Sequence, residues 1–253
     1  MRKPLIAGNW KMHLDLSGAA ALAREVAKAA DGLTDREVMI APPFTALAAV
    51  REAVGDRVIL AGQNVAWEEK GAFTGEISPP MLRDVGCRMA LIGHSERRQI
   101  FGEDDRMINK RLTGAIRFGL TPVLCIGETL AEREANQTFT VLEKQLRAGL
   151  AGITLNDPAA PPTLVVAYEP VWAIGTGKTA TTAQAQEAHA FIRGVLAELS
   201  EKNIAAQIRI LYGGSVNAAN VDELMAQADV DGALVGGAAL TAASFERIIR
   251  FRL

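Results

Sequence analysis

Eight short apolar runs of β-leaning composition alternate with eight segments of helical pattern along 253 residues, which predicts one closed α/β domain, a (β/α)8 barrel. Each run is almost continuously apolar, as expected for parallel strands buried on both faces. The open, doubly wound sheet is the structural competitor, but the G-x-G-x-x-G fingerprint that would follow its first strand is absent. No shift in composition marks a boundary, so residues 1–253 are read as a single domain.

The expected strands are Leu5–Trp10, Glu37–Ala41, Val58–Gln63, Met89–Gly93, Pro122–Ile126, Leu164–Tyr168, Ile208–Tyr212 and Gly232–Val235. Between them the helical pattern covers Ser17–Ala30, Phe44–Val54, Pro79–Val85, Asp104–Phe118, Thr138–Leu150, Ala183–Glu201, Ala218–Ala226 and Ala242–Phe251. In the first of these, Ala20, Ala23, Ala27 and Ala30 alternate with charged Arg24, Glu25 and Lys28, the pattern of a one-sided helix. Thr181 with Gln184 three residues on forms a capping-box signature at the start of the sixth. The Pro-rich patch Asn156–Pro162 joins a helix to a strand and is expected on the barrel face away from the active site.

A hydrophobic fraction of 49% supplies a large core, and the net charge of −2 with dispersed basic residues argues against nucleic acid or an anionic membrane surface as partner. Leu5-Ile6-Ala7 is too short for a signal-peptide core and no later run approaches a membrane span, so a cytoplasmic location is expected. Cys87 and Cys125 lie in separate elements without a C-x-x-C pair and are read as reduced thiols. His13, His94 and His189 show no ligand spacing with each other or with the cysteines, so no metal is expected.

The chemistry concentrates around Leu164–Lys178. An apolar strand ends at Tyr168, Glu169 follows, and Pro170 restricts the backbone of Glu169 to extended geometry, which suits a positioned general base. Val171, Trp172, Ala173 and Ile174 then lead into Gly175-Thr176-Gly177, the composition of a lid over a site. Other strand ends are equally polar: Gly8-Asn9-Trp10-Lys11, Gly93-His94-Ser95-Glu96, Tyr212-Gly213-Gly214-Ser215 and Gly236-Gly237. In a barrel these ends converge on one face. The two glycine pairs with Ser215 read as a phosphate cradle, and Lys11 as an anchor for negative charge. His94 precedes a helix start, where its charged form is disfavoured and a neutral donor is expected. His13 and His189 are read as a loop residue and a helix-face residue without chemical roles.

Asn9-Trp10-Lys11-Met12, Gly71-Ala72-Phe73-Thr74-Gly75-Glu76, Gly93-His94-Ser95-Glu96-Arg97-Arg98, Leu124-Cys125-Ile126-Gly127-Glu128-Thr129, Ala167 to Gly177 and Tyr212-Gly213-Gly214-Ser215-Val216 together resemble the triosephosphate isomerase family over the whole chain. The resemblance implies interconversion of dihydroxyacetone phosphate and D-glyceraldehyde 3-phosphate, a step of glycolysis and gluconeogenesis, with no cofactor or metal. It implies catalytic roles for Glu169 as base, His94 as neutral electrophile helped by Asn9, and Lys11, a division of acid–base labour for which this family is a standard illustration. Asn9, Lys11, Gly175, Ser215, Gly236 and Gly237 would bind substrate, and Ser95 and Glu96 would stand behind them. It also implies a homodimer in which Thr74 enters the partner subunit and Glu76 pairs with Arg97 across the interface. His13 departs from the family, which often has asparagine there, but replaces no catalytic residue.

Two other functions use the same residues. A Schiff-base aldolase would employ Lys11 as nucleophilic amine. A non-catalytic binder of phosphorylated metabolites would need the glycine cradle but has no use for a base, an electrophile and a lid.

Overall fold

The computed structural model describes residues 2–155, 164–174 and 179–252. The Pro-rich patch and the lid residues Gly175 to Lys178 lie outside the described residues. In chain order the elements are β1 (Leu5–Asn9), α1 (Leu16–Ala30), β2 (Glu37–Ala41), α2 (Leu47–Val54), β3 (Ile59–Gly62), α3 (Pro79–Asp84), β4 (Met89–Ile92), α4 (Ser95–Gln99) and α5 (Asp105–Arg117). They continue with β5 (Thr121–Ile126), α6 (Leu130–Glu134), α7 (Thr138–Gly149), β6 (Val165–Tyr168), α8 (Thr182–Leu199), α9 (Lys202–Ala205), β7 (Arg209–Tyr212), α10 (Val221–Met225), β8 (Gly232–Val235) and α11 (Ala242–Ile249).

The strands pair in parallel, each with the next, and β8 returns to β1, with Leu5 opposite Gly232 and Gly8 opposite Val235. The sheet is therefore a closed barrel wrapped by helices, the TIM barrel, which leaves no strand edge unpaired. Alternation along each strand sorts the apolar residues into two packed bodies. Leu5, Ala7, Met39, Ala41, Met89, Leu91, Val123, Cys125, Val165, Ala167, Leu211 and Leu234 fill the barrel interior. Ile6, Ile40, Ile92, Leu124, Val166 and Ile210 point outward into the layer shared with the helices, where Leu22, Val50, Leu112, Leu146, Ile192 and Phe245 meet them.

The helices start where local chemistry tells them to. Asp15 accepts the Gly18 N–H at 2.8 Å, and Asp104 accepts that of Met107 at 2.8 Å. The Thr181–Gln184 capping box forms in both directions, at 3.0 and 3.2 Å. Four expectations shift. The segment after β4 and the segment after β5 each contain an additional short helix, α4 and α6; α6 buries no side chain, so it carries no apolar stripe to read. The expected helix Ala183–Glu201 stops at Leu199 because Ser200 is extended, and α9 follows separately. The segment Phe44–Val54 opens with a 3-10 turn over Phe44–Ala46. The segment expected at Ala218–Ala226 becomes helical only from Val221, because a hydrogen-bonded asparagine turn occupies the residues before it.

Candidate active site

The carboxyl ends of the strands open into a cavity of about 340 Å³. Asn9, Lys11, His94, Glu169, Ser215, Gly236 and Gly237 all line it, joined by Ile174 from the lid segment and by Leu234. Residues 228 positions apart in sequence thus share one chamber because parallel strands bring every carboxyl end to the same face.

The backbone at Glu169 is held rigidly. Its N–H donates to Ile126 O at 2.7 Å, and the Gly213 N–H donates to Tyr168 O at 2.7 Å, stitching the backbone to β5 and β7. A Cβ on Gly213 would stand 2.8 Å from the Glu169 Cγ, and one on Gly127 would collide with the Glu169 carbonyl oxygen, so both flanks need glycine. The carboxylate is 2% exposed. Its Oε2 accepts the Ser95 N–H at 2.9 Å, while Oε1 lies 3.1 Å from His94 Nε2.

His94 caps α4, and its Nδ1 accepts the Glu96 N–H at 3.3 Å. A nitrogen that accepts a hydrogen bond offers its lone pair, so the ring proton sits on Nε2, aimed at the carboxylate. The Glu96 carboxylate pairs with Lys11 Nζ at 2.6 Å. Burial works to raise the Glu96 carboxyl, but the Lys11 hydrogen bond and nearby positive charge outweigh it and hold the group below its usual range.

Lys11 adopts φ +50, a left-handed conformation uncommon for a residue with a side chain. Three bonds hold it there: its N–H donates to Asn9 Oδ1 at 3.0 Å, and its carbonyl accepts Gln63 Nε2 at 2.6 Å, while Gln63 also reaches Ala41 O at 2.9 Å. Backbone strain braced from several elements is a mark of functional sites. The conformation sets the side chain beside Gly236, where a Cβ would meet Lys11 Cε at 3.4 Å.

Several supporting residues escaped the sequence reading. Gln63 was taken only as the end of a strand. Arg98 bridges Gly93 O at 2.8 Å, Cys125 O at 3.2 Å and Asp105 at 2.6 Å, tying β4 to β5. Cys125 is fully buried, and burial together with the Glu169 charge pushes its thiol well above the usual range. Glu128, wholly buried, receives Arg133 Nη1 at 3.1 Å, the Tyr168 hydroxyl at 3.2 Å and Trp172 Nε1 at 2.9 Å. That carboxylate joins the entry of the lid segment to β6. The sequence reading carried it only as part of the Leu124–Thr129 motif and gave it no role. His189, read as a helix-face residue, does lie on α8 and is entirely buried between Tyr168 and Tyr212, with Nδ1 3.2 Å from Asp229 O, and burial lowers it to about 4.

Among the described residues, no group of three or more His, Cys, Asp or Glu is placed to hold a metal ion. On the cradle side, no hydrogen bond among the described residues uses the N–H of Gly214, Ser215 or Val216, which all line the cavity. Gly175, expected to complete the cradle, lies outside the described residues.

The triosephosphate isomerase family model matches residues 4–252. The chain belongs to the triosephosphate isomerase family. It is 56% identical over 252 residues to the triosephosphate isomerase of Geotalea uraniireducens (strain Rf4), with 99% of each chain covered. It is 56% identical to that of Geobacter metallireducens and 54% identical to that of Chloroflexus aurantiacus, each over 253 residues and the whole of both chains. The family residues brought forward from the sequence occupy two regions. Those of the cavity converge as described, with Ser95 and Glu96 directly behind them. Thr74, Glu76 and Arg97 stand apart: Thr74 is exposed at the tip of the loop after β3, where Trp67 and Phe73 pack edge to face at 5.4 Å. Glu76 and Arg97 already have partners within the chain. Glu76 accepts Arg111 at 2.9 and 3.0 Å, which keeps its carboxyl low, and Arg97 holds Glu103 at 2.8 Å. His13 is exposed and makes no hydrogen bond among the described residues.

Proposed function

We propose that this chain interconverts dihydroxyacetone phosphate and D-glyceraldehyde 3-phosphate by moving one proton between adjacent carbons, with no cofactor. The observation that carries the assignment is the buried Glu169 carboxylate 3.1 Å from a His94 Nε2–H, in a cavity that also holds Lys11 and a wall of glycine backbone.

In the structure both oxygens of Glu169 are engaged, by the Ser95 N–H and the His94 ring. A carboxylate so occupied is at rest. Substrate entering the cavity offers its carbonyl oxygen to the His94 Nε2–H, which frees Oε1, and Glu169 then swings to the carbon and takes the proton. Negative charge develops on the substrate oxygens, where His94, the Asn9 amide and the Lys11 ammonium stabilise it in a site already organised to receive it. Glu169 returns the proton to the neighbouring carbon, and the hydroxyl proton passes between the two substrate oxygens, a transfer within reach of His94 Nε2. The Lys11–Glu96 ion pair suits this electrostatic task and not that of a nucleophilic amine, so no observation favours the aldolase. Ser215, Gly236, Gly237 and Gly175 are assigned to the phosphate. Closure of the lid from its Trp172–Glu128 anchor would exclude water and protect the enediolate.

We further assign a homodimer. Met12, Phe73, Ile100 and Phe101, in the segments that follow β1, β3 and β4, expose large apolar side chains, with Met12 at 93% and Ile100 at 72%. Thr74 at the tip of its loop would enter the partner, and the Glu76–Arg97 contact between subunits would extend the Arg111–Glu103 cluster already present in each chain. Two free, buried cysteines suit a reducing compartment, the cytoplasm. No helix among the described residues is long and apolar enough to cross a membrane.

The test is a coupled isomerase assay combined with exchange of solvent deuterium into either triose phosphate. Exchange that depends on Glu169 supports the reading. Binding of triose phosphates without exchange would leave a non-catalytic binder, and borohydride trapping of substrate on Lys11 would point to the aldolase.

A further inference from the structure

The turn after β7 is braced by two asparagines. Asn220 directly precedes α10, the place where an asparagine side chain ordinarily accepts an N–H of the first helical turn. Here it makes no such bond. Its carboxamide turns back instead: Nδ2 donates to Ser215 O at 3.0 Å, and Oδ1 accepts the Asn217 N–H at 2.8 Å. Asn217 returns the favour, its Oδ1 accepting the N–H groups of Ala219 at 2.8 Å and Asn220 at 3.2 Å.

The two bonds of Asn220 grip the peptide units on either side of Val216. A trans peptide points its N–H opposite to its C=O. Tying the Ser215 carbonyl back to Asn220 therefore sends the Val216 N–H away from Asn220. Ser215, Val216 and Asn217 line the cavity, while Asn220 does not. The N–H groups of Ser215 and Val216 find no acceptor among the described residues, and free donors of this kind relax toward other partners unless something holds them.

We propose that Asn220 is a positioning residue for phosphate recognition, holding the Ser215–Asn217 turn so that the Val216 N–H joins that of Ser215 as a donor to the phosphate group of the substrate. The inference rests on the isomerase reading above and adds to it a residue outside the cavity. The sequence pattern places Asn220 inside a helix from Ala218, and only the diverted side chain reveals the second task.

The experiment compares Asn220→Ala and Asn220→Asp with wild type. Asn220→Ala removes both bonds, whereas Asn220→Asp keeps an acceptor for the Asn217 N–H and sets an oxygen without a hydrogen against Ser215 O. The KM for glyceraldehyde 3-phosphate, the inhibition constant of inorganic phosphate, the rate with unphosphorylated glyceraldehyde and the thermal midpoint are measured together. Loss of two ordinary hydrogen bonds predicts that KM and the phosphate constant rise in step, by about tenfold, with kcat within about twofold. Turnover of unphosphorylated glyceraldehyde should stay level. A variant that melts earlier with its phosphate constant unchanged, or one that slows both substrates equally, would show a role in fold alone and overturn the proposal. Should Asn220→Ala fail to fold, Asn220→Asp is read by the same criteria. Calorimetric titration with inorganic phosphate reports the role of Asn220 even if wild type proved unable to isomerise, so that failure of the activity and failure of the proposal are separate results.

Discussion

Shortening Glu169 by one methylene tests the proposed base most directly. Glu169→Asp withdraws the carboxylate by about 1 Å, the reach of one C–C bond projected along the side chain. The backbone cannot advance to compensate. The Glu169 N–H is bonded to Ile126 O at 2.7 Å, Gly213 N–H to Tyr168 O at 2.7 Å, and the space beside Cγ is only wide enough for a glycine at 213. The shorter side chain also cannot span Ser95 N at 2.9 Å and His94 Nε2 at 3.1 Å together, so its resting position changes as well. A misplacement of about 1 Å costs about 10²-fold in rate, or about 2.7 kcal/mol in the barrier. The phosphate wall, built from Ser215, Gly236 and Gly237, is untouched. The coupled assay should therefore show kcat down by about 10²-fold or more. The inhibition constant of inorganic phosphate should move little. A variant with near-normal turnover would refute Glu169 as the base; equal losses in turnover and inhibitor affinity would mean that the substitution had disturbed the whole cavity.

Removing Ile174-Gly175-Thr176-Gly177 and rejoining the chain should leave a folded barrel, because surface loops contribute little to a core, while isomerisation slows and methylglyoxal appears as the enediolate escapes; normal rates without that by-product would exclude the lid. Thr74→Arg should shift sedimentation toward monomers, with activity per chain falling on dilution, whereas wild type sedimenting as a fully active monomer at micromolar concentration would defeat the dimer. A fourth prediction concerns pH. His189 is lowered by burial from 6.5 to about 4 in the folded chain, with Asp229 and Arg193 as its charged neighbours. The folded state therefore binds fewer protons than the unfolded state between these values, so stability is full above pH 6.5 and falls as pH drops toward 4. The loss approaches about 3 kcal/mol. In His189→Gln, thermal midpoints across pH 4.5 to 6.5 should flatten relative to wild type, and parallel curves would remove His189 as the cause.

The barrel was legible in the sequence because period and composition are local. A strand such as Glu37–Ala41 is apolar after its first residue, and the structure returns those same bounds. The Thr181–Gln184 capping box needs only its own four residues, and it too forms as read. The strand-end motifs named the cavity residues because any parallel barrel gathers its carboxyl ends on one face, so Asn9, His94, Glu169 and Ser215 had to meet once the strands closed.

What tertiary structure alone decided is which partner each polar group takes. Nothing near Glu169 in sequence shows that it rests on Ser95, the first residue of α4, or that Lys11 is kept in a left-handed conformation by Gln63, just past β3. His189 has a helical neighbourhood like that of any surface residue, yet two tyrosines from β6 and β7 enclose it and strip away the water that would let it carry charge. Asn220 occupies a helix-cap position and spends its carboxamide on the turn before it. Hydrophobic pattern is additive along the chain and survives in one dimension. Hydrogen-bond partners and burial depend on distances between residues remote in sequence, and those exist only once the barrel has closed.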